Sequence, residues 1–184
     1  SSNTVGRPPP IPASPPDRPE GTHSLGERAE LLTESALKSH LTQLSERPDA
    51  SLALNVHLPF CPSRCLSCDR IAVVQHQPGE IEHYVSNLAN ELARTSELLG
   101  HRRALSRVHF GGGSPNHLSE LALATVFSHI DEHFVVDAST QFSMELNPRR
   151  TSRAQLNFLK GLGVEQIKLE VRDVDANVQR EIGR

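Results

Sequence analysis

The chain has 184 residues, with 19 Lys and Arg against 22 Asp and Glu, for a net charge of −3. This length suits one ordinary domain plus a tail, and the nearly balanced charge provides no broad basic surface for nucleic acid or an anionic membrane. No run of about 20 apolar residues predicts a membrane span, and no apolar signal-peptide core is present. We therefore expect a soluble cytoplasmic protein.

The first part of the chain divides into a tail, a helix and a strand. Residues 1–20 hold seven of the thirteen prolines, a composition typical of extended, unpacked chain, so residues 1–23 are predicted to be a disordered tail. Ser24 with Glu27 forms a possible capping box that opens a helix over residues 24–46. Apolar residues then alternate over 51–58, as in a half-buried strand.

Helices and strands alternate along the rest of the chain, each marked by apolar residues at its own period. Helices are predicted over 81–99, 123–134 and from Ser152 onward, and strands over 106–110, 141–146 and 165–171. Short connections between alternating elements favour parallel strands with right-handed crossovers, and chemistry at the carboxyl ends of those strands. Four strands are too few to close a barrel, so the last is expected to be an unpaired edge and the sequence to be truncated at Arg184.

A cysteine motif follows the first predicted strand. Cys61, Cys65 and Cys68 are spaced CxxxCxxC, and an odd number of cysteines at this density is a poor framework for disulfides. Three thiolates suit an iron–sulfur cluster or zinc. Structural zinc needs a fourth ligand, which His57 could supply, whereas a cluster with one open iron needs none. Inert thiols are a third alternative.

This motif resembles the signature of the radical S-adenosylmethionine superfamily, in which CxxxCxxC lies on the loop after the first barrel strand. The resemblance implies an α/β fold, a partial (β/α) barrel of about four β/α units over residues 24–184. It also implies that Cys61, Cys65 and Cys68 hold a [4Fe–4S] cluster, that S-adenosylmethionine binds its fourth iron, and that an electron donor reduces it.

Three further segments resemble the oxygen-independent coproporphyrinogen III oxidase family. Val108-His-Phe-Gly-Gly-Gly-Ser-Pro115 is similar to the family's GGGTP segment, which implies cofactor contacts at Gly112, Gly113 and Ser114. Met-Glu-Leu-Asn-Pro around Glu145 resembles its E-x-[DN]-P segment, although a solvated outward Glu is the alternative. V-Q-x-x-I-G-R resembles the family's V-Q-x-x-[IV]-x-R segment and implies that Arg184 contacts the cofactor carboxylate.

Several substitutions distinguish this chain from that family. Asn55 and Ser67 stand where the family has aromatic residues that pack near the cofactor, and Arg172 stands where it has Gln. These three positions belong to the expected cofactor site. Lys168 and Glu170 replace Ser and Gly; either would be costly to bury unpaired, and we expect the two to partly neutralise each other.

Three functions follow from the resemblance. The first is oxidative decarboxylation of coproporphyrinogen III to protoporphyrinogen IX in haem biosynthesis. The second is haem binding by a haem-chaperone-like relative, favoured by Asp69 and Arg70. The third is a degenerate, non-catalytic paralogue. In the first two the expected partner is a tetrapyrrole.

Overall fold

A computed structural model of the protein describes residues 33–66, 68, 71–74 and 76–182. The predicted tail, the capping box at Ser24 and the site residues Ser67 and Arg184 lie outside these residues, as do Asp69 and Arg70. Across the described part of the chain, no helix is long and apolar enough to cross a membrane.

Four parallel strands form one sheet in the order β1-β2-β3-β4. They are β1 (Leu52–Leu58), β2 (Leu105–Gly112), β3 (Gln141–Leu146) and β4 (Val164–Leu169). The predicted α/β fold of about four parallel β/α units is confirmed. Strand order follows chain order because each crossover places the next strand beside the last.

The described residues form five α-helices beside the sheet. They are α1 (Glu34–Ser45), α2 (Glu80–Leu98), α3 (Glu120–His133), α4 (Arg153–Gly161) and α5 (Ala176–Glu181), with short 3₁₀ turns at Pro115–His117 and Pro148–Arg150. Helix α5 and the two turns were not predicted from the sequence, because they are too short for a clear apolar period. The predicted start of α1 at Ser24 is also wrong, because Thr33 is extended and caps the helix through its hydroxyl.

The helices α2, α3 and α4 supply the buried residues that cover one face of the sheet. The strand side chains on this face are apolar, and Val108, Phe110 and Met144 are fully buried. Phe127 of α3 stacks between Phe110 and Phe142, with ring centroids 4.7 and 5.3 Å apart. Burial of this apolar face is the main stabilising contribution to the fold.

The opposite face of the sheet is polar. Asn55, His109, Ser143 and Gln166 are aligned across the four strands, and each is exposed or half-buried. Because side chains alternate between faces, a strand with one covered face directs its polar residues to this other side. The edge strand β4 is the most exposed, with a single buried residue, Val164.

Candidate functional site

A cavity of about 250 Å³ lies at the carboxyl ends of the strands. Most of the residues predicted for the site line it. They are Cys61, Cys65, Cys68, Gly112, Gly113, Ser114, Glu145 and Arg172. The parallel topology accounts for this convergence, because the carboxyl ends of all four strands meet at one edge.

The loop that carries the cysteines is tied to the segment that follows it. The Cys61 N–H donates to the Val73 carbonyl at 2.9 Å, and the Val73 N–H donates to the Pro59 carbonyl at 2.9 Å. The Cys68 N–H donates to the Cys65 carbonyl at 3.1 Å. These bonds fold the loop back on itself, so residues far from any strand still point into the cavity.

The unpredicted helix α5 closes the other side of this loop. The Leu66 N–H donates to the Ile182 carbonyl at the end of α5 at 3.0 Å, and Gln179 and Ile182 both line the cavity. Asp175 caps α5 by accepting from the N–H groups of Asn177 and Val178. The segment after β4 therefore positions the cysteine loop.

Gly113 lets the glycine segment approach the base of the cysteine loop. The Gly113 N–H donates to the Leu58 carbonyl and the Ser114 N–H to the Phe60 carbonyl, both at 2.8 Å. A Cβ at Gly113 would lie 2.6 Å from the Phe60 oxygen and 2.7 Å from the Pro59 carbonyl. Only glycine fits this backbone contact.

Gly112 is constrained both by its backbone and by a neighbouring ring. Its φ is +105°, in the region that favours glycine, and a Cβ there would lie 2.8 Å from the His57 ring. Ser114 completes the segment, with its hydroxyl 3.8 Å from the Cys61 sulfur. Gly112 and Gly113 therefore form a close-packed wall of the cavity where β2 ends.

Two ion pairs form the charged rim of the cavity. Lys168 Nζ lies 3.1 Å from Glu145 Oε1, and Arg172 Nη2 lies 2.8 Å from Glu170 Oε1. The prediction that Lys168 and Glu170 partly neutralise each other is wrong. Glu145 and Lys168 are opposite each other on β3 and β4, which is why they pair, while Glu170 lies beyond the end of β4 and pairs with Arg172.

His109 connects Glu145 to the polar sheet face. Its Nδ1 lies 2.8 Å from the Ser143 hydroxyl, and its Nε2 lies 3.7 Å from Glu145 Oε1. The sequence analysis did not single out His109 or Ser143. The alternation of each strand places them on the same face as Glu145, and this was the available signal.

A buried amide anchors the strand end that carries Glu145. Asn116 is 2% exposed; its Oδ1 accepts from the Asn147 N–H at 2.9 Å, and its Nδ2 lies 3.2 Å from the Asn147 carbonyl. Its amide also bonds Gln155 at 3.2 Å. Ser152 caps α4 by accepting from the Gln155 N–H, while the Gln155 side chain serves this network and does not reach back to Ser152.

Asn55 is not brought into the cavity lining. It lies on the polar sheet face, exposed and aligned with His109. The structure therefore does not bring Asn55 together with the cysteines in this cavity.

Comparison with known proteins identifies the family. The radical SAM superfamily matches residues 55–184. The chain belongs to the radical SAM superfamily. It is 29% identical over 147 residues to the oxygen-independent coproporphyrinogen III oxidase of Escherichia coli (strain K12), covering 80% of this chain and 32% of that protein. The Bradyrhizobium diazoefficiens oxidase is 32% identical over 142 residues, covering 77% and 32%.

A solved structure is similar to this radical SAM chain as well. Coproporphyrinogen III oxidase (HemN) from Escherichia coli superposes with a TM-score of 0.73 at 29% identity, covering 82% of this chain and 34% of that one. The chain thus spans about a third of the length of these relatives. The fold and the family expected from the sequence are both confirmed, and the family implies S-adenosylmethionine and an iron–sulfur cluster.

The three cysteine thiols of this radical SAM chain are ligands of the kind that hold an iron–sulfur cluster. None of the three is in a disulfide bond. In tetrahedral zinc with Zn–S bonds of about 2.3 Å, the sulfurs stand about 3.8 Å apart. Among the described residues, the three cysteines do not form a group whose ligand atoms all lie within 4.8 Å. The three sulfurs are therefore not arranged as the ligands of one tetrahedral zinc ion.

Proposed function

We propose that this chain carries the cluster and cofactor site of a radical SAM protein of the oxygen-independent coproporphyrinogen III oxidase type. The observation that supports the proposal is that the cysteines, the glycine segment and Glu145 all line one cavity at the carboxyl ends of the strands. Sites in open α/β sheets gather at this edge. In this proposal residues 24–184 form the N-terminal part of the (β/α) barrel, and residues 1–23 form a disordered tail.

The cluster ligands in this proposal are Cys61, Cys65 and Cys68, which leave one iron open for S-adenosylmethionine. When bound, the two groups supply reductive cleavage of a carbon–sulfur bond and a carbon radical that removes hydrogen from the substrate. The chain's own part is to position the two groups and exclude water, through the close packing of Gly113 against the cysteine loop.

The charged rim suits a zwitterionic ligand. The Glu145 carboxylate can accept from the ammonium of a methionyl group, while the Arg172 guanidinium can donate to its carboxylate. Both side chains already have intramolecular partners, Lys168 and Glu170. The ligand must therefore exchange with these partners, at a cost of about 1 kcal/mol for each partly exposed pair.

The remaining cofactor contacts are assigned by family resemblance. Gly112 and Gly113 offer backbone groups and Ser114 a hydroxyl beside Cys61, while Asn55, Ser67 and Arg184 complete the set. At about 250 Å³ the cavity is somewhat smaller than the roughly 300–1,000 Å³ of typical ligand sites. We therefore place the nucleoside along the polar face near Asn55 and His109.

The substrate in this proposal is coproporphyrinogen III, whose propionates are oxidatively decarboxylated. A supporting side chain is Lys168, which lines the cavity and is 65% exposed. Cationic groups beside the cofactor cavity can hold propionate carboxylates. The reaction also requires an external electron donor for the cluster.

Anaerobic reconstitution tests the proposal. The protein is loaded with iron and sulfide, reduced, and its electron paramagnetic resonance spectrum is recorded before and after adding S-adenosylmethionine. We expect close to four irons per chain, a spectrum that changes with the cofactor, and loss of iron when Cys65 is replaced by Ser. Stoichiometric zinc in place of iron, or iron retained in C65S, would contradict the proposal.

A degenerate, non-catalytic paralogue is the second candidate, favoured by the Lys168–Glu145 ion pair at the cofactor rim. This candidate predicts a cluster whose electron paramagnetic resonance spectrum does not change when S-adenosylmethionine is added. It also predicts that the reduced protein does not cleave that molecule. Cleavage without porphyrinogen turnover, together with stoichiometric haem binding in an absorption titration, would indicate the haem-chaperone-like alternative.

A further inference from the structure

We infer that α3 carries a second metal site, formed by His129, Glu132 and His133, which binds Zn²⁺ or a similar divalent cation. One ligand atom from each of these residues lies within 4.8 Å of the other two, and within the described residues this is the group of His, Cys, Asp or Glu side chains that meets this condition. Imidazole nitrogens and a carboxylate oxygen form a common zinc ligand set.

Two of the three separations between ligand atoms are close to those around a tetrahedral ion. Zn–N bonds of about 2.0–2.1 Å and Zn–O bonds of about 2.0–2.2 Å place neighbouring ligand atoms about 3.4 Å apart. His129 Nδ1 lies 3.4 Å from Glu132 Oε2, and His133 Nε2 lies 3.9 Å from the same oxygen. Movements of well under 1 Å would bring the His129 and His133 nitrogens and the Glu132 oxygen to the spacing of ligands around one zinc ion. The helix therefore preorganises the site.

The spacing explains how one helix gathers three ligands. Residues at i, i+3 and i+4 lie on one face of a helix, and two histidines four apart on a helix can bind zinc together. The order H-x-x-E-H is itself found in zinc-binding helices. The sequence contains this motif as His129-Ile-Asp-Glu-His133, although no metal site was predicted from it.

The surroundings hold the ligands and leave room for the ion. The histidine side chains are only 30% and 22% exposed, against 62% for Glu132. The Ser96 hydroxyl donates to the His133 carbonyl at 2.7 Å, which ties this end of α3 to α2. An open cleft lined by Glu97 and His101 lies beside His133. Solvent can therefore supply the fourth ligand.

The local charge is mixed but favours a cation. Glu132 and Asp131 contribute two carboxylates, and the carboxyl end of α3 adds the negative end of the helix dipole. Against them stands Arg102, whose guanidinium donates to the carbonyls of Asp131 and Phe134. Arg102 is occupied by these backbone oxygens and does not pair with Glu132 in any described contact.

This site is separate from the cysteine cavity. Helix α3 starts after the carboxyl end of β2 and returns toward the start of β3, so His129 and His133 lie at the opposite end of the sheet. No residue that lines the cysteine cavity belongs to α3. The inference therefore does not rest on the proposed function.

Zinc titration with matched variants tests the inference. The full chain is titrated with Zn²⁺ by calorimetry after cluster reconstitution, when its thiols are occupied. A second titration uses the chain without a cluster and compares the number of zinc ions bound by each variant. This comparison remains valid even if no iron–sulfur cluster forms. We expect H129A and H133A each to remove one zinc per chain or weaken its binding at least ~100-fold, since loss of even an outer partner of a ligand costs about 10–100-fold.

The control is H83A, which removes an exposed histidine of α2 that is not one of the three proposed zinc ligands. This variant should leave zinc binding unchanged. Alanine favours helix, so circular dichroism should show all variants folded, and E132Q offers a ligand change that keeps the side-chain shape. Equal zinc stoichiometry and affinity in wild type, H129A and H133A would overturn the inference. The contact of His129 with Glu132 would then be an ordinary side-chain contact on the helix surface.

Discussion

The ammonium of Lys168 lies 3.1 Å from Oε1 of Glu145, so the carboxylate at the cavity rim already has an intramolecular cation as its partner. Lys168 is 65% exposed and Glu145 only 15%. An ion pair with one partner this exposed contributes at most about 1 kcal/mol. A cationic ligand can therefore replace Lys168, but only against competition.

We predict that Lys168→Met raises the affinity for S-adenosylmethionine about fivefold, the equivalent of about 1 kcal/mol. The methionine keeps the length of the side chain and removes both the competing ammonium and its repulsion of the sulfonium. Calorimetric titration of the reconstituted protein measures the change. Lys160→Met on the exposed side of α4 is the matched control, and weaker binding in K168M would refute this role of the ion pair.

Gly113→Ala should dislodge the cysteine loop. The added Cβ would lie 2.6 Å from the Phe60 oxygen, and neither backbone can move without breaking the bonds at 2.8 Å between them. We expect a loss of about 1–3 kcal/mol in unfolding free energy and a lower iron content after reconstitution. Urea unfolding and iron analysis measure the two effects.

Gly161→Ala is the matched control for that change. It lies at the end of α4, and a Cβ there meets no atom within 4 Å. Because alanine favours helix over glycine by up to about 1 kcal/mol, this variant should be neutral or slightly more stable. Equal behaviour of the two variants would show that the close approach at Gly113 does not matter.

Arg103→Met should strongly destabilise the fold. Arg103 is 2% exposed, and its guanidinium donates to the carbonyls of Leu44, Arg47, Pro48 and Ala50 at 2.9, 2.8, 3.2 and 3.0 Å. Methionine preserves much of the volume but leaves these carbonyls without their donor, so we expect a loss of roughly 3–5 kcal/mol.

Urea unfolding of R103M measures that loss, with Arg153→Met as the control. Arg153 is exposed at the start of α4, where such a change should stay within about 0.5 kcal/mol. A loss below about 1 kcal/mol in R103M would mean that the loop between α1 and β1 finds other donors.

The protein should lose stability as the pH falls below about 6.5. Burial, together with the nearby Arg150 and His76, lowers the pKa of His117 below its ordinary value. Its Nδ1 is buried and has no hydrogen-bond partner among the residues that the structure describes, and its Nε2 lies 3.4 Å from Nε2 of His76. The unfolded chain therefore takes up a proton at a higher pH than the folded protein does.

The sign follows from this difference in proton binding. The contribution of His117 is present above about pH 6.5 and is lost as the pH falls through the lowered pKa of the folded state. Thermal unfolding midpoints measured across this range should decline for the wild type and decline less for His117→Gln. Parallel curves for the two proteins would assign the pH dependence to other groups.

Local patterns in the sequence were sufficient for the elements that bury one regular face. Strand β3 was predicted with the bounds it has, and the bounds of α2 and the start of α4 were predicted to within one residue. Apolar period and helix-start signals depend only on near neighbours. The short helix α5 was not predicted from the sequence, although the hydrogen bond between Ile182 at its end and Leu66 in the cysteine loop positions the site.

By itself the sequence determined the parallel α/β fold, the cysteine triad, the glycine segment and the family, since these depend on residue type and on spacing along the chain. Only the tertiary structure decided the partners. Lys168 lies opposite Glu145 because of strand register, and Glu170 turns to Arg172 because β4 ends at Leu169. Register joins residues far apart in the chain, and one sequence carries no local signal for it.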